Sequence, residues 1–479
     1  MDMTEGRIIP VFIKFSLPLL FGNLFQLFYS LTDSFIVGNY CGSISLAAIG
    51  ASGNIIFTVT GFFNGLANGA GVVISQAYGA RDKDRLLTTV RTAMLSSVIL
   101  GLLLTAFGIT ISPLMLKMIA VPDQVFTQAV LYLRIYFAGV IFILFYNLCA
   151  GFLRALGEAK KTFYILVLSV ALNIVLDFIF ILIFKQGLKG AAFATVISEA
   201  FSALLAFKTL TIQLKKHGFS SGPRIKTHFS SFALLSIVKI GMPGAISNLL
   251  LNFSNTFMQR YINRFGADCM AGWAVYARFD ELSILAMVSI CATAMTFTGQ
   301  NYGAGKMDRV YKGIKAACLL GGLEILLIAT LLITFAPALA SIFNPEASVI
   351  RYGAMFIRAS ASFYLFCFGT MVFCQISQGL GYTTVPTIII FMGFVLLRQT
   401  YLFTITKITD SSLAVALAYP FSWPPTLVFE VIYLRHLLKK ITLTHPSNYS
   451  ASSTGTYLNP NSSGSGLHPE PILLQLMII

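Results

Sequence analysis

Apolar residues run along this chain in segments long enough to cross a bilayer, and polar residues gather in short clusters between them. About 20 helical residues cover the ~30 Å of hydrocarbon in a membrane. The runs lack the period-two alternation of barrel strands, so they predict helices. Twelve are expected, at 11–37, 43–76, 88–111, 125–150, 162–184, 190–213, 232–262, 268–298, 311–337, 348–377, 384–406 and 411–437. In lipid no water is at hand to bond the backbone, and a helix satisfies every N–H and C=O within its own segment.

The polar clusters repeat. Gln76-Ala77-Tyr78-Gly79-Ala80 returns as Gln300-Asn301-Tyr302-Gly303-Ala304, each just past the end of a long apolar run. Pro18 and Asn23 answer to Pro243 and Asn248 at nearly the same offset, and Leu156-Gly157 answers to Leu380-Gly381. The expected fold class is therefore an all-α polytopic membrane protein with twelve transmembrane helices in two pseudo-symmetric six-helix lobes. The amino-terminal lobe spans 1–213, a turn-rich linker 214–231, and the carboxy-terminal lobe 232–440. Residues 441–479 turn to Ser, Thr, Asn, Pro and Gly, a composition that cannot pack a core and predicts a disordered tail. Membrane repeats of this kind are the usual build of carriers, with a site between halves that rock against each other.

Composition agrees: 56% hydrophobic and 11% charged residues, with a mean hydropathy of +0.80, exclude a soluble globular chain. The net charge of +15 does not indicate nucleic acid. Arg81, Lys83, Arg85, Arg154, Lys160, Lys161, Lys215, Lys216, Lys306 and Arg309 crowd the connections after even-numbered spans, whereas those after odd-numbered spans hold little beyond Lys117, Lys185, Lys189, Arg264 and Lys407. That asymmetry places both termini in the cytoplasm. The seven cysteines form no CxxC or Cys/His cluster and read as apolar filling. Gly61, Gly65 and Gly69 form a smooth ridge for close helix packing, with no strand before them to make a phosphate loop. Neither an ATP-binding motif nor a catalytic triad is present, so no cofactor and no enzyme activity are expected.

An acid at membrane depth is expensive and marks a functional site by default. At a rise of about 1.5 Å per residue, Asp33 lies ~8 Å inside the outer end of the first span and Asp177 ~12 Å inside that of the fifth. Thr195 on the sixth span lies ~9 Å deep by the same rise. Tyr29 and Asp33 are i,i+4 neighbours, as are Asn173 and Asp177, so each acid shares a helical face with a hydrogen-bonding partner. Two carboxylates, a phenol, an amide and a hydroxyl at one depth suit exchange of H+ or Na+. The alternative is that each acid separately meets a backbone or basic group. The second lobe holds Met258, Leu397, Tyr401 and Tyr419 at the matching positions, so this cation site belongs to one lobe alone. Asn248, Asn252 and Asn255 form a polar stripe on the seventh span, either lining a cavity or bonding a neighbouring helix. On the eighth, Arg278 and Glu281 stand i,i+3 for an internal ion pair, which leaves Asp280 for substrate. Glu199, Glu324, Arg358, Arg398 and Glu430 are also intramembrane and suggest no specific role.

The phrase Ser30-Leu31-Thr32-Asp33-Ser34-Phe35-Ile36-Val37-Gly38, the Leu46-Ala47-Ala48-Ile49-Gly50 that follows, the paired Gln-x-Tyr-Gly-Ala motifs and Gly151-Phe152-Leu153-Arg154-Ala155-Leu156-Gly157 together resemble the MATE (multidrug and toxic compound extrusion) transporters. The likeness runs from Ile8 to about Lys440. It implies two six-helix lobes around a central cavity and export in exchange for Na+ or H+. Tyr29, Asp33, Asn173, Asp177 and Thr195 match the cation-site positions of the branch similar to DNA-damage-inducible protein F. The acids that other branches carry on the seventh and tenth spans are absent from 232–262 and 348–377. The expected partners are amphipathic, often cationic small molecules, H+ or Na+ and the lipid of a bacterial or archaeal cytoplasmic membrane, with the chain working as a monomer and not on nucleic acid. A lipid-linked glycan flippase is the alternative, and it calls for an arginine-rich cavity to hold pyrophosphate.

Overall fold

The computed structural model describes residues 1–119, 121–219 and 229–444. The amino-terminal lobe comprises α1 (Ile8–Cys41), α2 (Ser43–Gly79), α3 (Lys83–Met118), α4 (Asp123–Ala155), α5 (Ala159–Asp177) and α6 (Leu188–Lys216). The second lobe follows with α7 (Ser231–Asn263), α8 (Ala267–Gly303), α9 (Met307–Phe343), α10 (Ala347–Ala361), α11 (Tyr364–Gly379), α12 (Thr384–Ile390), α13 (Arg398–Ile408), α14 (Ser412–Ala416) and α15 (Ala418–Thr444). Phe178–Ile183 continues α5 as a π-helix, and Phe391–Leu397 joins α12 to α13 in the same form. Among the described residues eleven spans are long and apolar enough to cross a membrane, or twelve with α10 and α11 taken as one.

The tenth span, predicted as one helix over 348–377, is bent by 48° between α10 and α11. No proline lies at the break. The Phe363 N–H bonds Ser360 O at 3.0 Å, one residue short of its α-helical partner, while Ser362 Oγ donates to Arg358 O at 2.8 Å. Both contacts tighten the turn and tilt the helix. At the carboxy-terminal end, α15 continues through Ile441, which is buried, to Thr444, past the expected boundary at 440. The rest of the tail and 220–228 of the linker lie outside the described residues.

The lobes meet along α2, whose main partner is α7. The glycine ridge explains the closeness. A Cβ at Gly65 would collide with the backbone of Ala245, and one at Gly69 with the backbone of Gly241. Lipid gives helices no hydrophobic reason to associate, so such backbone-to-backbone contact supplies the dispersion energy instead. Asn248 Nδ2 adds a hydrogen bond of 3.1 Å to Gly61 O across the same seam.

The two repeat motifs close one end of the molecule by reaching into each other's lobe. Gln76 Nε2 donates to Gly379 O at 3.0 Å, and Gln300 Nε2 donates to Ala155 O at 2.7 Å. Each satisfies a carbonyl left over at a helix C-terminus of the opposite lobe. A side chain at Gly79 would strike Gln300, and one at Gly303 would strike Gln76. The first residues of the chain strap over this junction. Met3 is fully buried, its N–H donates to Gln300 Oε1 at 2.9 Å, and its carbonyl accepts from Asn301 Nδ2 and Arg309 Nη2.

Replacing Gly69 with Ala should lower stability by about 1–3 kcal/mol, the usual result of overpacking. Gly53→Ala, on the same helix with open space around it, should be neutral or slightly stabilising. Thermal unfolding of the detergent-purified variants separates the two, and equal midpoints would refute the glycine seam.

Candidate functional site

In the amino-terminal lobe the fold gathers the five residues predicted from three spans. Asn173 and Asp177 are buried on α5, and with its amide oriented to satisfy both neighbours Asn173 donates to Asp177 Oδ2 at 3.0 Å and accepts from the Thr195 N–H of α6 at 3.2 Å. Tyr29 on α1 lies within hydrogen-bonding reach of Thr195 and close to Asp33. Asp33 is buried in turn and within electrostatic range of Asp177. Each acid keeps one buried oxygen, Oδ1, with no hydrogen-bond partner among the described residues. A basic counter-ion is missing as well: neither acid forms an ion pair among the described residues. Unpartnered carboxylate oxygens are costly away from water and are the groups that a proton or a hard cation would satisfy.

Three more residues join this cluster. Tyr132 on α4 lies within electrostatic range of both carboxylates, Tyr136 lies one turn further, and Glu199 is within the same range of Tyr29 and Tyr136. Glu199 stands i,i+4 from Thr195, and Tyr132 and Tyr136 are i,i+4 to each other, so the helical register held the signal. What one sequence did not disclose is that α4 turns this face towards α1 and α6.

The cavity lies elsewhere. Its volume is about 260 Å³, and its walls come from α2 and the second lobe. Asn248, Asn255 and Asp280 line it, with Gln375, Arg398, Tyr419 and Trp423. Asn252 is not on its wall and packs instead against Gly61. Arg278 and Glu281 pair at 3.6 Å on an exposed flank of α8, outside the cavity. Asp280 accepts a hydrogen bond of 2.7 Å from Tyr364 Oη, across the bend between α10 and α11.

Arg398 is one of the five intramembrane charges that sequence reasoning left without a role. It is 2% exposed and starts α13 directly after the π-helical segment. Asp177 ends α5 directly before the other π-helical segment. The fifth and eleventh spans, which correspond in the repeat, thus each widen their backbone beside a buried charge, negative in one lobe and positive in the other. Such π segments occur often at functional sites because the wider turn redirects side chains inward.

Tyr364→Phe should take from the half-buried Asp280 carboxylate its 2.7 Å hydrogen bond and lower stability by about 1–3 kcal/mol. Thermal unfolding checks this, and an unchanged midpoint would show that the 2.7 Å bond is dispensable.

Comparison with known proteins agrees with this architecture. The sequence model of the MatE family matches residues 18–179 and 243–401. The chain is 27% identical over 400 residues to the probable multidrug resistance protein YpnP of Bacillus subtilis, covering 84% of this chain and 89% of that protein. It is 23% identical over 355 residues to the multidrug export protein MepA of Staphylococcus aureus, covering 73% of this chain and 78% of the relative. A crystal structure of MATE in the bent conformation superposes with a TM-score of 0.85 at 22% identity, over 93% of this chain and 98% of that one. A MOP superfamily transporter from Pyrococcus furiosus gives 0.84 at 22% identity, over 92% and 98%.

Proposed function

The chain belongs to the MatE family, and from that premise we propose that it is a secondary active antiporter that exports amphipathic organic compounds, cationic drugs among them, in exchange for H+ or Na+. The observation that carries the coupling is the pair Asp33 and Asp177, both buried, both with an unpartnered oxygen and neither with a basic counter-ion among the described residues. The names of the relatives, one a multidrug export protein, support the cargo. The basic residues on one side support a multi-pass protein of the cytoplasmic membrane with both termini inside.

In this reading Tyr29, Asn173 and Thr195 position the acids, and H+ or Na+ neutralises them from the outer side. Bound charge changes the balance of repulsion between Asp33 and Asp177, and the lobes then re-pack at the α2–α7 seam, exchanging outward access for inward access. The carboxy-terminal lobe moves as the partner without a matching acid pair, since Met258 and Tyr401 stand in those places. Met258 is fully buried, and Tyr401 donates its hydroxyl to Ala414 O.

The flippase alternative gains one observation, the Arg398 guanidinium on the cavity wall. A single arginine is too few to hold the several charges of a pyrophosphate, however, which argues against that cargo.

Asp33→Asn should abolish coupled efflux at normal membrane abundance, because it keeps shape and removes the charge that the ion neutralises. Asp177→Asn should do the same, and the double variant should be hardly worse than either, since the two act as one unit. Efflux of a fluorescent organic cation from vesicles, with pH and Na+ gradients imposed separately, measures this. Transport indifferent to both gradients would remove the antiport reading. Substrate affinity of the purified protein should also weaken with falling pH or rising Na+, by mutual exclusion between cation and cargo. Equilibrium binding indifferent to both ions would refute that exclusion.

A further inference from the structure

The guanidinium of Arg398 is held in an unusual way for a buried cation. It lies over two aromatic rings, 4.1 Å from the centroid of Tyr419 and 5.3 Å from that of Phe394. The rings fix its plane and leave its edges to make hydrogen bonds. Those edges are poorly served. Nη1 reaches Asn255 Oδ1 at 3.3 Å, Nη2 reaches Ser422 Oγ at 3.4 Å, and Nε has no partner among the described residues. A guanidinium has five N–H donors, so most of its capacity is unused. Asp280, the acid on the cavity wall, lies within electrostatic range of Arg398 but accepts its hydrogen bond from Tyr364 and forms no direct ion pair with the guanidinium. Across the same wall, Gln375 Oε1 is buried without a donor.

A charge buried with donors to spare destabilises a fold unless a ligand answers it. We infer that the second-lobe cavity is an oxyanion subsite, in which Arg398 binds a carboxylate, sulfonate or phosphate group carried on an apolar body. This rests on the export reading and narrows its cargo: compounds that use both lobes present an anionic group to Arg398 and an apolar or cationic remainder to the rest of the cavity. Tyr419, Trp423 and Phe394 supply the apolar wall beside the guanidinium. A carboxylate has the planar two-oxygen edge that matches the guanidinium fork, which makes it the most favoured head. The first lobe then offers acids to the coupling ion, and the second offers an arginine to the cargo.

The chain holds two tryptophans, Trp273 and Trp423; the second lines this cavity, and the first packs against Tyr419 with ring centroids 5.9 Å apart. Intrinsic fluorescence therefore reports ligands at this site. The full chain in lipid nanodiscs, titrated with phenylbutyrate and with phenylbutanol, should bind the acid at least about tenfold more tightly than the alcohol, as expected for hydrogen bonds to a charged group. Arg398→Gln should bring the two to equal affinity. Gln375→Glu places a second negative charge on the wall and should weaken the acid about tenfold while leaving the alcohol unchanged. Equal affinities in the unaltered protein, or an acid preference that survives Arg398→Gln, would overturn the subsite. If Arg398→Gln does not fold, Gln375→Glu decides, and an unaffected acid affinity overturns it. No gradient is involved, so a failure here with gradient-driven efflux intact rejects only the subsite, and intact binding with failed efflux rejects only the antiport mechanism.

Discussion

Close contact between α2 and α7 is the interaction on which the rest of the molecule depends. These helices belong to different halves of the repeat, and only glycine and alanine at Gly65, Gly69, Gly241 and Ala245 let their backbones come so near. In a bilayer, where lipid tails are as apolar as leucine, two lobes are not driven together by hydrophobic burial. Backbone dispersion along the seam and a few hydrogen bonds such as Asn248 to Gly61 O must hold them. An association of this strength is broken and remade more readily than a large hydrophobic interface.

The seam is completed at one end by Gln76 and Gln300. Each crosses to the other lobe and bonds a terminal helix carbonyl, Gly379 O or Ala155 O. The strap through Met3 adds main-chain bonds over the junction. Closure at this end and a cavity further along α2 follow from the same geometry, because helices pinned together at one end are free to diverge towards the other. The repeat therefore does more than double the chain. It provides two copies of one device that lock reciprocally.

Pseudo-symmetry also frames the difference between the lobes. The fifth and eleventh spans both pass into a π-helical segment beside a buried charge, yet one presents Asp177 and the other Arg398. The first lobe collects Asp33, Asp177 and Glu199 around phenols, with oxygens left unpartnered. The second collects Asp280, Arg398 and Asn255 around aromatic rings and a cavity. Shared backbone geometry has thus been given a different charge beside its π segment in each lobe, an acid in one and an arginine in the other.

Much of this is legible in the sequence, because a bilayer leaves few choices. Long apolar runs have to be helices, the paired Gln-x-Tyr-Gly-Ala motifs announce the repeat, and i,i+4 spacing puts Tyr29 with Asp33 and Asn173 with Asp177. Depth along a helix is a local property, so counting residues from the ends of the spans is enough to bring Asp33, Asp177 and Thr195 to one layer. Rotation about a helix axis and the choice of neighbour are not local. They are set by packing between spans far apart in the chain, and so the role of Tyr132, the place of Asn252 against Gly61 and the break before Tyr364 emerge only in three dimensions. The same holds for Arg398: its charge is visible in the chain, but whether a buried cation finds a carboxylate depends on which helices surround it, and the tertiary structure surrounds it with rings, two long contacts and a cavity.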